Sequence, residues 1–159
     1  MTTEERKAED ARFRKEYPLF EKNPELIYLD NAATTQKPSC VIQAEAEFYE
    51  KYNANPFRGV YELAEAATEH YEEARAEVAK LLHANADEIV FTRNATESLN
   101  LISYSLGSLV LRPGDEVLVS IMEHHSNLLV WQQAAKRTGA TLRYLDCTQD
   151  GKLTVEMVE

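Results

Sequence analysis

The sequence predicts an α/β fold in which a mostly parallel sheet is preceded by an N-terminal helical arm. Short apolar runs typical of buried strands alternate with longer segments whose apolar residues recur every three or four positions, as on the inner face of a helix. In addition, residues 2–16 are strongly charged and hold few apolar side chains. We therefore expect an arm over residues 1–25 and an α/β domain over residues 26–159.

The N-terminal elements follow from turn signals and apolar spacing. The charged residues 2–16 favour a solvated helix, and the apolar residues 26–29 favour a short strand that leads into a small, polar loop at residues 30–35. Pro38 suits the first turn of a helix. Residues 62–83 are rich in alanine and glutamate, which are strong helix formers, and predict a long helix.

Strands and helices alternate in the C-terminal part of the chain. The predicted order is a strand at residues 88–92, a helix at 96–106, a strand at 116–120, a helix at 127–138 that ends at Gly139, and a strand at 141–145. This alternation is typical of right-handed βαβ units and a parallel sheet. Ligands of such sheets bind beyond the carboxyl ends of the strands. We therefore expect the polar residues that follow the first two strands to form one site.

Composition narrows the classes of function. The chain has 159 residues, 44% of them hydrophobic, and a formal net charge of −10. An acidic excess of this size disfavours binding to nucleic acid or to an anionic membrane. No apolar run approaches the roughly 18 residues of a membrane helix, and neither cysteine belongs to a CxxC pair. With no signal peptide, these features predict a cytoplasmic protein.

The stretch at residues 92–100 is a candidate phosphate site. Asn94 and Glu97 have the spacing of a capping box, which predicts the start of a helix. The free N–H groups of Ala95 and Thr96 and the Thr96 hydroxyl would then hold a phosphate monoester at the positive end of the helix. The alternative is a capped helix that binds nothing. The stretch is not glycine-rich, so it carries neither a Rossmann nor a P-loop fingerprint.

A second polar stretch, residues 122–127, follows the next strand. His124 and His125 are adjacent, and in extended chain their side chains point to opposite sides, so they do not grip one metal together. Glu123 adds no zinc-ligand spacing, and we expect no metal site. A structural role as a helix cap suits His125 better than His124, and Asn127 is a further candidate cap.

Three motifs in this order resemble the class V aminotransferase superfamily, whose members depend on pyridoxal phosphate. They are YLDNAATTQKP at residues 28–38, RNATESLN at residues 93–100 and MEHHSN at residues 122–127. The resemblance runs from about Tyr17 to the end of the chain. It is greatest to cysteine desulfurases of the sulfur-mobilisation type, which include members similar to selenocysteine lyases.

The resemblance implies specific roles. The α/β domain would be an incomplete large domain of the pyridoxal-phosphate-transferase type, with Ala95, Thr96 and His124 binding the cofactor. His124 would stack on the cofactor ring and take part in proton transfer, which makes it the catalytic candidate. Ala32 and Ala33 would lie beside the substrate, L-cysteine. The parent enzyme would release L-alanine and pass a persulfide to a sulfur-acceptor protein for iron–sulfur cluster assembly, and it would act as a homodimer.

The sequence also departs from the family pattern. Phe57 and Tyr61 stand where the family often has histidines, and the resemblance finds no counterpart of the Schiff-base lysine or of the catalytic cysteine. The chain therefore resembles only the N-terminal part of such an enzyme, and we expect it to be inactive alone. Two alternatives stay open: another class V enzyme such as a selenocysteine lyase, and a truncated, non-catalytic protein that binds phosphate or associates with a partner. An ordinary nucleotide-binding module is the weakest reading.

Overall fold

Helices account for most of the regular structure in residues 2–158, the part of the chain that a computed structural model describes. The chain divides into two compact units, Met1–Ile89 and Val90–Glu159. The described part of the first unit contains only helical elements, and the second unit contains a small parallel sheet. Within residues 2–158, no helix has both the length and the apolar character needed to cross a membrane. The predicted boundary between residues 25 and 26 stays a prediction.

The helices of the first unit agree with the sequence patterns. They are α1 (Thr3–Lys15), α2 (Pro18–Lys22), α3 (Ser39–Lys51), α4 (Glu62–Leu82) and a 3-10 helix (Ala86–Glu88). The predicted arm helix is confirmed as α1, which begins with a capping box between Thr2 and Glu5. The helices predicted after Pro38 and over residues 62–83 are confirmed as α3 and α4, and Pro38 itself is the N-cap of α3.

Two predicted strands are wrong. Residues 26–29 and residues 89–92 are irregular, although both segments are apolar. A strand needs a neighbouring strand for its backbone hydrogen bonds, and within residues 2–158 neither segment has one. An arginine side chain instead bonds one carbonyl oxygen in each segment. Arg14 donates to the carbonyl oxygens of Pro24 and Leu26, each at 3.0 Å. The guanidinium of Arg75 donates to the carbonyl oxygen of Ile89.

The second unit holds the predicted parallel sheet. Its elements are α5 (Ala95–Tyr104), α6 (Leu106–Val110), β1 (Glu116–Ser120), α7 (His125–Thr138), β2 (Thr141–Leu145) and a 3-10 helix (Val155–Met157). The two strands pair in parallel, from Glu116 opposite Thr141 to Ser120 opposite Leu145, which confirms the strands predicted at residues 116–120 and 141–145. The single helix predicted over residues 96–106 is split in two at Ser105.

Helices α5 and α7 pack against each other in the second unit. The buried Ser103 hydroxyl of α5 donates to the carbonyl oxygen of Val130 at 3.0 Å. Ala134, one turn further along α7, is fully buried, and its small side chain allows a close approach of the two helices. On the same helix, Gly139 ends α7 with φ 78°, as the sequence predicts. Thr96 and Ser126, from the first turns of α5 and α7, line one cavity.

Candidate functional site

The N-terminus of α5 is capped by Asn94. The Asn94 Oδ1 atom accepts a hydrogen bond from the N–H of Glu97 at 2.9 Å, as the sequence predicts. The return bond of the predicted capping box differs, because the Glu97 carboxylate accepts from the N–H of Arg93 at 2.6 Å rather than from Asn94. Its other oxygen pairs with the Arg93 guanidinium at 3.1 Å. The hydrogen bond from the Arg93 side chain, and then that from the backbone, lowers the pKa of Glu97.

This cap leaves donors free at the start of α5. Among the residues that the structure describes, none accepts a hydrogen bond from the N–H of Ala95 or of Thr96, and none is bonded to the Thr96 hydroxyl. The first N–H groups of a helix have no intrahelical acceptor, and the helix dipole adds partial positive charge there. The first turn of α5 therefore presents two amides and a hydroxyl to an anion.

The N-terminus of α7 is capped by a histidine. His124 Nδ1 accepts a hydrogen bond from the N–H of Ser126 at 3.1 Å and lies 2.8 Å from the Ser126 hydroxyl oxygen. The prediction that His125 or Asn127 caps this helix is wrong. The Asn127 side chain instead donates to the Glu123 carboxylate at 2.8 Å and accepts from the indole N–H of Trp131 at 3.0 Å. The capping position therefore belongs to His124, the residue expected to be functional.

An open cavity of about 360 Å³ lies between the first turns of the two helices. It is lined by Thr96, Asn100, His124, His125, Ser126, Leu129, Val130 and Gln133. Its volume falls within the roughly 300–1,000 Å³ typical of small-molecule and cofactor sites. Thr96 and His124 thus lie at one cavity, as expected from the sequence, whereas Ala95 is not among its lining residues. The functional roles of these three residues stay predictions.

The two adjacent histidines do not point to opposite sides. Both line the cavity, and their ring centroids are 6.3 Å apart. The prediction was wrong because the chain is not extended here: it turns into α7 at His125. In residues 2–158, no group of three or more histidine, cysteine, aspartate or glutamate side chains could hold a metal ion.

The cavity also includes residues deeper in the two helices, which were not predicted from the sequence. Asn100 follows Thr96 by four positions, and Leu129 and Gln133 follow His125 by four and eight positions. Residues four apart lie on the same face of a helix. This spacing was the signal that could have found them, once His125 was known to begin α7.

The predicted substrate loop belongs to the first unit. At residues 30–35 the chain forms a closed turn, in which the N–H groups of Ala33 and Thr34 both donate to the Asp30 carbonyl oxygen, at 3.2 and 3.0 Å. The Tyr28 hydroxyl donates to the Thr34 carbonyl oxygen at 2.6 Å. Ala32 and Ala33 are exposed on this turn. Their role beside a substrate stays a prediction.

Phe57, which stands where the resembling family often has a histidine, has an unusual backbone. Its φ of 67° lies in the left-handed region, which costs a bulky residue on the order of 1–3 kcal/mol. Helix α4 offsets this strain: the Thr68 hydroxyl oxygen accepts from the Phe57 N–H at 2.9 Å. The Phe57 ring packs edge-on against Tyr71 with a centroid distance of 5.5 Å. Phe57 is thus held in a defined conformation.

Comparisons with known proteins identify the family. Residues 27–159 match the model of the aminotransferase class-V family. The chain is 49% identical over 135 residues to a probable cysteine desulfurase of Halalkalibacterium halodurans, covering 84% of this chain and 33% of the relative. It is 46% identical over 155 residues to a probable cysteine desulfurase of Streptomyces coelicolor, covering 92% of this chain and 37% of the relative.

Solved structures agree with this assignment. The apo structure of a cysteine desulfurase from Thermococcus onnurineus NA1 matches with a TM-score of 0.83 and 43% identity, covering 91% of this chain and 35% of that one. The chain thus spans about a third of the length of the curated relatives it matches. Because the family model covers most of the residues, including both motifs at the cavity, the chain belongs to the class-V aminotransferase family.

Proposed function

We propose that this chain forms the cofactor-binding, N-terminal part of a pyridoxal-phosphate-dependent cysteine desulfurase. Such an enzyme converts L-cysteine into L-alanine and carries the sulfur as a persulfide. The observation that carries the proposal is the cavity that Thr96 and His124 line together at the N-terminal ends of α5 and α7. The names of the relatives, which are cysteine desulfurases or probable ones, support the choice of reaction.

The residues present fit the phosphate of this cofactor. The free N–H groups of Ala95 and Thr96 and the Thr96 hydroxyl are the donors that bind phosphate at a helix N-terminus. The N–H of His125, at the start of α7, also has no acceptor among residues 2–158. A dianion can therefore be held by two helix ends, although the chain as a whole has a net charge of −10.

The remaining wall of the cavity fits an aromatic ring. Leu129 and Val130 supply apolar surface, and the flat imidazole of His124 offers a stacking partner. When bound, pyridoxal phosphate supplies the electron sink for the chemistry at the amino acid. His124 contributes a proton site at Nε2, because its Nδ1 is occupied by the N–H of Ser126. We assign His124 the roles of ring support and proton carrier.

The substrate and the partners are proposed on separate grounds. The small side chains of Ala32 and Ala33 leave the backbone of their turn open to an amino acid such as L-cysteine. Cys40 and Cys147 are both free thiols, which supports a reducing, cytoplasmic setting. We further propose that the full-length enzyme is a homodimer that delivers sulfur to an acceptor protein for iron–sulfur cluster assembly.

The chain alone is not expected to complete the reaction. None of the described residues that line the cavity is a lysine or a cysteine, and the proposed reaction needs one of each, to anchor the cofactor and to accept the sulfur. We expect residues 1–159 to release no L-alanine from L-cysteine in the presence of pyridoxal phosphate. Production of alanine and sulfide at a steady rate would contradict this.

The proposed function is tested by phosphorus NMR of pyridoxal phosphate titrated with the chain. We expect the phosphate signal to shift and broaden on binding, and pyridoxal, which lacks the phosphate, to bind far more weakly. Thr96→Asp should weaken binding by about a hundredfold or more, because its carboxylate competes for the free N–H groups and repels the phosphate. Helix α5 should stay folded, because an acidic side chain suits its first turn.

Thr96→Ser is the matched control for this test. It keeps the hydroxyl and the backbone, so the affinity for pyridoxal phosphate should stay close to that of the unmodified chain. If Thr96→Asp bound pyridoxal phosphate as tightly as Thr96→Ser, the first turn of α5 would not hold the phosphate and the proposed function would be lost.

A further inference from the structure

We propose that Ser126 is a positioning residue that holds the His124 imidazole through both its N–H and its hydroxyl and keeps the imidazole proton on Nε2. Its importance for the reaction rests on the proposed function, because His124 is the residue that would support and protonate the bound groups. The tautomer itself is a property of the chain alone and can be measured without any cofactor.

The direction of one hydrogen bond decides the tautomer. The Ser126 N–H lies 3.1 Å from His124 Nδ1, and a backbone N–H can only donate. Nδ1 must therefore carry a lone pair, and the proton of the neutral ring sits on Nε2. Among residues 2–158, none is hydrogen-bonded to this Nε2–H. Because His124 lines the cavity, Nε2–H is available there as a donor.

The Ser126 hydroxyl adds a second contact to the same atom. Its oxygen lies 2.8 Å from Nδ1, within the usual range of a hydrogen bond. While the ring is neutral, the hydroxyl donates to Nδ1 beside the backbone N–H. When the ring takes up a second proton, the same oxygen can rotate its hydrogen away and accept from Nδ1–H. Ser126 can therefore support the ring in both protonation states, which the backbone N–H cannot do.

The backbone around Ser126 is held by a series of hydrogen-bonded side chains at the start of α7. Asn127 is bonded to the Glu123 carboxylate at 2.8 Å and to the Trp131 indole at 3.0 Å. The N–H of Asn127 also donates to the His124 carbonyl oxygen at 2.9 Å. These bonds span the last residue before the cap and the first two turns of the helix. They keep the Ser126 N–H directed at His124 and leave the hydroxyl as the adjustable contact.

The test is a long-range proton–nitrogen NMR spectrum of the imidazoles in the nitrogen-15-labelled chain without cofactor, at about pH 9, where free histidine is neutral. The chain has four histidines, and His70→Gln, His83→Gln and His125→Gln assign the His124 signals by elimination. We expect His124 to be almost entirely in the Nε2–H form. Ser126→Pro, which removes the backbone N–H and suits the first turn of a helix, should raise the Nδ1–H fraction about fivefold, the effect of one hydrogen bond. Ser126→Ala, which keeps the backbone N–H, should leave the Nε2–H form dominant.

Ser98→Ala is the matched control. Ser98 stands in the first turn of α5, and its hydroxyl bonds the Thr92 hydroxyl at 2.6 Å rather than a histidine, so the His124 signals should not move. A dominant Nδ1–H form in the unmodified chain would overturn the inference whatever the variants do. So would an unchanged ratio in Ser126→Pro, with its fold verified by Trp131 fluorescence.

The same samples separate this inference from the proposed function. Each is titrated with pyridoxal phosphate after the tautomer has been measured. If the tautomer responds to Ser126 as expected but pyridoxal phosphate does not bind, the proposed function fails and the positioning of His124 stands. If pyridoxal phosphate binds but the tautomer ignores Ser126, the proposed function stands and the inference fails.

Discussion

The first turns of α5 and α7 border the same cavity, but they are capped by different kinds of residue. Helix α5 is capped by Asn94, one of the residues most favoured at this position. Helix α7 is capped by His124, which also lines the cavity. At α5, the cap is Asn94, whereas the free donors belong to Ala95 and Thr96. At α7, one imidazole both caps the helix and lines the cavity.

This difference predicts how substitutions at the start of each helix affect stability and the cavity. At α5, a substitution of Asn94 affects helix stability first and the cavity second. At α7, a substitution of His124 affects both together unless the new residue keeps one of the two roles. Variants of His124 that keep a helix cap but remove the imidazole ring, and variants of Asn94 that remove the cap, therefore test this difference between the two helices.

The largest effect is expected from His124→Asn. Asparagine caps helices well, so the free energy of unfolding should change by less than about 0.5 kcal/mol. The loss of the ring and of Nε2–H should weaken pyridoxal phosphate binding roughly tenfold, the value of one aromatic contact. Titration followed by phosphorus NMR measures the affinity. His83→Asn, a histidine of the other unit, is the control, and an unchanged affinity in His124→Asn would show that the ring does not support the cofactor.

A smaller effect, mainly on stability, is expected from Asn94→Ala. Loss of the hydrogen bond to the Glu97 N–H should lower the free energy of unfolding by about 1 kcal/mol. Urea denaturation followed by the fluorescence of Trp131, the single tryptophan of the chain, measures this change within the same unit. Asn94→Asp keeps a capping oxygen and should unfold like the parent. The division of roles at α5 would be wrong if Asn94→Ala left stability unchanged.

The smallest effect is expected on the free energy of unfolding at acidic pH, through the carboxyl group of Glu97. Hydrogen bonds from Arg93 lower the pKa of Glu97 from its ordinary value of 4.5. A carboxyl group with a lowered folded-state pKa stabilises the fold above the ordinary value, and this stabilisation disappears as the pH falls through the folded-state pKa. The stability difference between the parent and Glu97→Gln should therefore be constant above about pH 5 and shrink below it.

Arg93→Gln supplies the comparison for this pH series. It removes the guanidinium that pairs with Glu97 at 3.1 Å but keeps the backbone N–H, so Glu97→Gln should have a smaller effect in that background. Equal pH profiles for the parent and Glu97→Gln would mean that Glu97 contributes nothing to the start of α5.

The sequence predicted those parts of the molecule that depend on neighbours along the chain. Both strands of the sheet were predicted with their observed residues, because each is a short apolar run bounded by turn signals. The Asn94 cap follows from a side chain three positions before its donor. Likewise, Gly139 suits a left-handed backbone that other residues avoid.

Predictions that depended on distant partners were less successful. Residues 26–29 have the composition of a strand, but no second strand pairs with them in residues 2–158, and the Arg14 side chain bonds the Leu26 carbonyl oxygen instead. The capping role of His124 was assigned to its neighbours, because the start of α7 was placed two residues too late. For the same reason Asn100 and Gln133 were not recognised as cavity residues.

The sequence by itself therefore determined the class of fold, the two polar stretches that lead into helices, and the family resemblance carried by their residues. These depend on periodicity, capping and turn chemistry, which act over a few positions. Only the tertiary structure decided that Thr96 and His124 line one cavity. The packing of α5 against α7, anchored by Ser103 on Val130, brings together side chains that are 28 positions apart, and no local pattern encodes that distance.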